Sequence, residues 1–409
     1  MKTNPDATQF WDEDIFPNCL ADLTCYDIDA ELRTMLKRFM RATVAIWCNM
    51  RPDLVSEPIE TTQVDTAHAS GEPLSTPAGE SRSTVSSPLV PVSPVAVDRS
   101  PVDRSPVDRS PVDRSPVDRS PMHSSPSPGS KNSFGDTQLA IDLYAESWMQ
   151  AAARYSETPL KFFASEENPE PTFLNEDGKY LAFWDPLDGS SIMDANWSVG
   201  TILTILRSGW KLGSPARPYV EASLVAVHGP VLNILLCLRG PSSEQSPFVL
   251  SNFCYFNDRF ILDTPQAGSP QSACYMAAIE DADRPKYFAP ANLRAAHVLP
   301  KYRAIVDEYI DRGATLRYSG GLVPDIYHIL MKRNGIYISP SCTGAPARLR
   351  MLFELVAIAH VMEAAQGSAH SITFGAGILD VEICSYEDKT DLIAGCPSAV
   401  TRHLAALTT

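Results

Sequence analysis

The feature that most limits how this chain can fold is a tract that no regular element can absorb. Val-Asp-Arg-Ser occurs five times at a five-residue period, at 97–100, 102–105, 107–110, 112–115 and 117–120. A proline falls in every period. It removes a backbone donor and fixes φ, so neither a helix nor a strand ladder can run through the tract. Five residues are also far fewer than the roughly 20 or more of a stacking solenoid unit. No aromatic residue stands between Trp47 and Phe134, although aromatics are 9% of the chain. Too little apolar surface remains to offset the entropy of ordering. Residues 52–130 therefore read as a disordered insert, either a neutral spacer or a Ser-Pro phosphorylation or partner-binding tether.

The folded structure must come from the flanks. Ahead of the tract, in a segment spanning 1–51, Leu32, Met35, Leu36, Phe39, Met40, Thr43, Ile46 and Trp47 recur at helical spacing. Asp29 stands where a cap is expected. The apolar stripe of this helix needs a partner in the main domain. Behind the tract, an Ala-rich helix is expected over 138–154 and short buried strands at 160–163 and 180–184. A hairpin is expected over 219–238, turning at His228-Gly229-Pro230. Helices near 302–311 and 348–365 flank a strand at 335–338. The mixture implies an α/β or α+β fold.

Charge and composition exclude several classes. A net charge of −15 is wrong for nucleic acid. It leaves a phosphorylated small molecule open, since a few arginines and a cation can reverse the field inside one cleft. Hydrophobic residues are 44% of the chain and the mean hydropathy is −0.12, which suits a soluble protein. No stretch reaches the ~18 apolar residues of a membrane span. The N-terminus lacks an apolar signal core and soon meets Asp12, Glu13 and Asp14. The C-terminus is not a peroxisomal address, so a cytoplasmic location is expected, with import by an unrecognised signal left open. Nine cysteines with no C-x-x-C read as reduced thiols, a regulatory Cys19–Cys25 bridge being the alternative.

The chemistry centres on Asp185-Pro186-Leu187-Asp188-Gly189-Ser190-Ser191. A buried strand is expected to end at Trp184 and two carboxylates follow. Pro186 stiffens the turn and Gly189 lets it bend. Both carboxylates and the Leu187 carbonyl can then face one point, an oxygen cage suited to a hard cation. The backbone N–H groups of Gly189, Ser190 and Ser191 follow as an anion nest. A metal cage beside an anion nest is what phosphoryl-group hydrolysis requires. An Asp-rich surface turn is the bland alternative for an isolated D-x-x-D.

This string resembles the signature of the fructose-1,6-bisphosphatase and sedoheptulose-1,7-bisphosphatase family, within the inositol-monophosphatase-like superfamily. The resemblance runs from about Asn132 to the C-terminus and skips the repeats. Asn132-Ser133-Phe134-Gly135-Asp136, Gly189-Ser190-Ser191-Ile192-Met193-Asp194, Phe288-Ala289-Pro290-Ala291-Asn292-Leu293-Arg294-Ala295 and Leu316-Arg317-Tyr318-Ser319-Gly320-Gly321 are similar to the sedoheptulose branch. Fructose-type enzymes usually carry Asn where this chain has Ile192.

The resemblance implies a layered sugar-phosphatase fold, with a metal-binding half over 131–280 and a substrate-binding half over 281–409. It implies that Asp136, Glu166, Asp185, Leu187, Asp188 and Glu354 hold two or more Mg²⁺ ions, with Mn²⁺ a substitute. Glu167 and Asp142 then take the proton of the attacking water. Gly189, Ser190, Ser191, Asn292, Arg294, Arg317, Tyr318, Arg348 and Arg350 grip the substrate and its second phosphate. Arg317's position in the family serves the neighbouring subunit's site, which implies a homodimer or homotetramer. Arg348 stands where relatives usually have lysine, so a point contact becomes a fork. The implied activity is hydrolysis of the C1 phosphate of a sugar bisphosphate, with sedoheptulose 1,7-bisphosphate favoured. Fructose-1,6-bisphosphatase and a non-catalytic metal-binding scaffold are the alternatives.

Overall fold

The computed structural model describes residues 28–50, 140–240, 248–257, 259–262, 276 and 278–408, all within the unit formed by Met1–Val55 and Pro126–Thr409. The expected insert at 52–130 and Asp136 lie outside the described residues, as do Cys19 and Cys25.

Eight strands form the larger sheet: β1 (Leu160–Ser165), β2 (Thr172–Phe173), β3 (Tyr180–Asp188), β4 (Val199–Arg207), β5 (Val220–His228), β6 (Leu232–Arg239), β7 (Phe248–Phe256) and β8 (Arg259–Leu262), in spatial order β2-β1-β3-β4-β5-β6-β7-β8. β1 and β3 are parallel, and the other neighbours are antiparallel. The sheet is apolar on both faces because both are covered. In β3, Ala182 and Trp184 enter one core while Leu181 and Phe183 enter the other. Period-two alternation is the cause.

On the first face lie α1 (Ala30–Asn49) and α2 (Ala140–Ala153). Asp29 caps α1, its side chain accepting from the Glu31 N–H at 3.2 Å. Leu32, Met35, Leu36, Phe39 and Met40 are all buried, each stabilising by about 1.5–3 kcal/mol relative to exposure.

A second sheet of six strands follows: β9 (Tyr287–Pro290), β10 (Thr315–Leu316), β11 (Ile336–Ser339), β13 (Ser368–Ser371), β14 (Ala376–Gly377) and β16 (Leu392–Gly395), with β12 (Leu349–Arg350) and β15 (Lys389–Thr390) pairing separately. α4 (Leu322–Lys332) and α5 (Val356–Ala364) lie against the second face of the larger sheet, and α5 also meets β13 and β16. α3 (Pro300–Asp311) and α6 (Pro397–Thr408) cover the six-stranded sheet, where Tyr309 stacks on Phe288 at 4.0 Å. The architecture is a layered α/β one, alternating helices and sheets.

Two departures from the sequence reading matter. β3 does not end at Trp184; it continues to Asp188. The stretch expected to be one helix over 348–365 is β12, then a π-helical turn at Met351–Leu355, then α5. No helix among the described residues is long and apolar enough to cross a membrane. Cys237, Cys342, Cys384 and Cys396 are free thiols.

Candidate active site

The acids arrive on strand ends. β1 and β3 run parallel with Ser165 opposite Trp184, and the Glu166 N–H donates to the Trp184 carbonyl at 3.0 Å. Glu166 therefore emerges beside Asp185. Along β3, residues three apart should point to opposite faces. The pairing slips between Asp185, opposite Ile202, and Asp188, opposite Gly200. One extra residue is absorbed as a bulge, placed where Pro186 has no N–H to give the ladder. The bulge brings both carboxylates to one side. Glu354 joins them from the π-helical turn, its carboxylate accepting from the Arg350 N–H.

Asp185, Asp188 and Glu354 offer ligand atoms within 4.8 Å of one another, and all three are buried. Burial pushes each carboxyl up. The charge of Glu166 adds to this for all three, and Asp185 and Glu354 also feel Asp188. Asp188 reaches about 7 even though the Val323 and Leu322 N–H groups donate to it at 2.7 and 3.4 Å. Those amides open α4, so Asp188 also caps that helix. Gly200 makes room for the approach: a side chain there would meet Val323 at 2.4 Å. Arg350, itself buried, pairs with Glu166. Among the described residues, one guanidinium beside four carboxylates leaves a large uncompensated charge, which a divalent cation would neutralise. All-oxygen donors without His or Cys suit a hard divalent cation.

Of the remaining sequence-predicted residues, Asp136 lies outside the described ones. Leu187 turns its side chain into the α1/α2 core and donates its N–H to Asp185 at 2.9 Å. Gly189 has φ +83°, the left-handed conformation that only glycine adopts without strain, and starts a short 3₁₀ turn over Ser190–Ile192. Ser190 is half-buried and Ser191 exposed. Glu167 is half-buried directly after Glu166, and Asp142 is buried in the first turn of α2.

On the other side, Asn292, Tyr318 and Ser339 follow or close the parallel strands β9, β10 and β11. The Asn292 amide donates to Pro340 and Ala345 carbonyls at 2.7 and 3.0 Å, fixing that loop, while its backbone N–H reaches the Tyr318 hydroxyl. Burial raises the Tyr318 phenol, the Asp325 charge adds to the rise, and Arg294 opposes it. Arg294, Arg317 and Arg348 are exposed, and Arg317 lies 5.9 Å over the Tyr287 ring.

Three contributors were missed from sequence. Asp325, buried in the first turn of α4, accepts the Ser319 N–H at 2.7 Å and so ties Tyr318-Ser319 to the helix that Asp188 caps. Thr201 donates to the Pro186 carbonyl at 2.8 Å and meets His228 Nε2 at 2.8 Å, bracing the bulge from β4 and β5. Glu146, buried on α2, bonds to Ser165 and Trp184. A carboxylate in an apolar helix stripe was the available signal for Glu146 and Asp325; nothing local marks Thr201.

The comparisons agree with this architecture. Residues 123–224 match the family described as Fructose-1-6-bisphosphatase, N-terminal domain, and residues 282–408 match its C-terminal domain. A class 1 fructose-1,6-bisphosphatase from Geobacter metallireducens is 31% identical over 284 residues, 68% of this chain and 81% of that protein. This chain belongs to the fructose-1,6-bisphosphatase family. Within it, the chloroplastic sedoheptulose-1,7-bisphosphatase of Spinacia oleracea is 33% identical over 273 residues, 66% of this chain. The match spans 65% of the spinach protein's length. Among solved structures, "Putative Sedoheptulose-1,7 bisphosphatase from Toxoplasma gondii" superposes with a TM-score of 0.60 at 34% identity, covering 68% of this chain and 85% of that one. Asp188, inside the first matched region, caps α4, inside the second.

Proposed function

We propose that this chain hydrolyses the C1 phosphate of a sugar bisphosphate with a divalent cation, Mg²⁺ or Mn²⁺, and that sedoheptulose 1,7-bisphosphate is its preferred substrate. The observation that carries the chemistry is the buried, under-neutralised group of Asp185, Asp188 and Glu354, with half-buried Glu166 beside it. These residues, with the Leu187 carbonyl and Asp136, would hold the cation. When bound, such an ion screens the phosphate charge and acidifies a water.

The residues of this chain do the rest. Glu167, supported by Asp142, takes the proton of the attacking water. The N–H groups of Gly189, Ser190 and Ser191 hold phosphate oxygens. Water oxygen bonds to phosphorus as the bond to the C1 oxygen breaks, giving inorganic phosphate and a sugar monophosphate. No covalent intermediate is needed, so neither serine is a nucleophile. Arg350 steadies Glu166, while Asn292, Arg294, Arg317, Tyr318 and Arg348 receive the sugar and its second phosphate, where an arginine fork suits phosphate oxygens. The exposure of Arg317 is what service to a neighbouring subunit in a homodimer or homotetramer requires.

The sugar choice is supported by Ile192 after the paired serines and by the spinach and Toxoplasma relatives. Fructose 1,6-bisphosphate is the second reading, favoured by the 81% coverage of the bacterial relative. Phosphate release from both sugars, with and without Mg²⁺, decides between them. Cation-dependent release with a higher kcat/KM for the seven-carbon sugar is expected. Release from neither sugar by a folded protein would leave a non-catalytic scaffold.

A further inference from the structure

Alternation places two chemistries back to back at the ends of β1 and β3. Ser165 and Trp184 are register partners across this parallel pair. Trp184 enters the α1/α2 core, fully buried and stacked on Phe163 at 4.7 Å. The residues that follow, Glu166 just past β1 and Asp185 within β3, belong to the acid group on the opposite face. Behind those acids stands Glu146. Its Oε1 accepts from Ser165 Oγ at 2.9 Å and from Gln150 Nε2 at 2.8 Å, and its Oε2 accepts from Trp184 Nε1 at 2.6 Å. One carboxylate thus spans both strands with one oxygen on each. Burial pushes the Glu146 carboxyl up, while the three donors favour its ionised form.

We propose that Glu146 is a positioning residue, a carboxylate clamp that fixes the spacing of Glu166 and Asp185 at which a divalent cation is held. The proposal rests on reading those acids as a cation site. Glu146 is not itself one of the converging ligand groups; it acts through the backbone one residue away on each strand. A buried polar network with its partners satisfied is rigid, and groups that orient ligands typically change metal affinity 10–100-fold when removed.

The test is calorimetric titration of Mn²⁺ into the full chain without sugar, for wild type, Glu146→Leu, Glu146→Gln and Asp188→Ala, with denaturant unfolding alongside. Asp188→Ala should abolish uptake. Glu146→Leu should weaken it about 10–100-fold at unchanged stoichiometry. Glu146→Gln keeps an acceptor for Trp184 and offers an N–H to Ser165 Oγ, so its affinity should stay within about threefold of wild type. A purely structural Glu146 would lower unfolding free energy and leave cation affinity alone. Unchanged affinity in a folded Glu146→Leu overturns the proposal, as does an equal loss in Glu146→Gln. Should Glu146→Leu fail to fold, Ser165→Ala removes one bridge, and unchanged affinity there overturns the proposal too. Wild type that takes up no cation removes the site reading and this proposal with it. Uptake blocked by Asp188→Ala but indifferent to Glu146 removes this proposal alone.

Discussion

The helical run from Met351 to Ala364 carries a carboxylate cluster at each end, and the two ends are balanced differently. At the C-terminal end, Arg217 holds Glu363 at 2.6 and 2.9 Å and Asp380 at 2.5 and 2.8 Å. The guanidinium holds Asp380 below its ordinary range. At the N-terminal end, Glu354 meets Asp185, Asp188 and Glu166 with Arg350 as the neighbouring cation, and burial pushes the Asp185, Asp188 and Glu354 carboxyls up. The first cluster is closed by the chain. The second calls for a positive charge from outside. Among the described residues each cluster has one guanidinium beside it; the difference is in the acids it must serve, two at the first end and four at the second.

That contrast can be broken most sharply by activity. Asp188→Ala should lower phosphate release by about three orders of magnitude, since cation charge stabilisation is worth several kcal/mol at the transition state. Arg217→Ala should leave kcat within about threefold in protein that remains folded, because it touches only the balanced cluster. Comparable losses in both would erase the distinction. A smaller effect is read in melting. Mg²⁺ at about 100 times its dissociation constant should stabilise the fold by about 2.7 kcal/mol. Arg217→Ala should retain that gain and Asp188→Ala should lose it.

Smaller still are the effects without metal. Arg217→Ala leaves two carboxylates unpaired, but Arg217 is 36% and Asp380 51% exposed, so solvent screens the loss to about 1–3 kcal/mol. Asp188→Asn removes one of several like charges and keeps a cap for α4. Urea unfolding of the metal-free protein should show stability unchanged or raised by about 1 kcal/mol, the reverse of Arg217→Ala. Destabilisation of both to the same degree would mean that the two ends are held in the same way.

The second cluster was largely visible in the sequence, and the first was not. Asp185 and Asp188 stand in one motif with a proline and a glycine between strand and turn, and Glu354 is an acid among apolar neighbours. What sequence could not supply was the means of convergence. A turn was expected where β3 continues through a bulge, because the ladder slip depends on β4 as much as on Pro186. A continuous helix was expected where a π-helical turn swings Glu354 inward. Arg350 was read as a phosphate ligand, yet here it pairs with Glu166, 184 positions away. The Arg217 cluster joins residues 146 and 163 positions apart, beyond any spacing argument.

The mildest test lies between the two ends, at His360 on α5. Its ring is buried, with Nδ1 2.9 Å from Ser223 Oγ and the ring edge-on to Phe248 at 4.3 Å. Burial, reinforced by Arg239 and Arg217, lowers its pKa from 6.5 to about 3. Between those values the unfolded chain binds a proton that the folded chain refuses, so stability falls as pH drops below about 6.5 and the penalty levels off near pH 3. At pH 5.5 one such histidine costs about 1.4 kcal/mol relative to pH 8. His228 and His403, lowered to about 3 and about 4, add limbs of the same sign. His360→Asn, whose amide can keep the Ser223 bond, should therefore flatten the plot of unfolding free energy against pH between 6.5 and 5 by about 1 kcal/mol per unit, whatever it costs at pH 8. An unflattened slope would mean that the imidazole is protonated inside the fold. Arg217 would then be matched by more negative charge than Glu363 and Asp380 supply, and the two ends of the run would be less different than their geometry makes them.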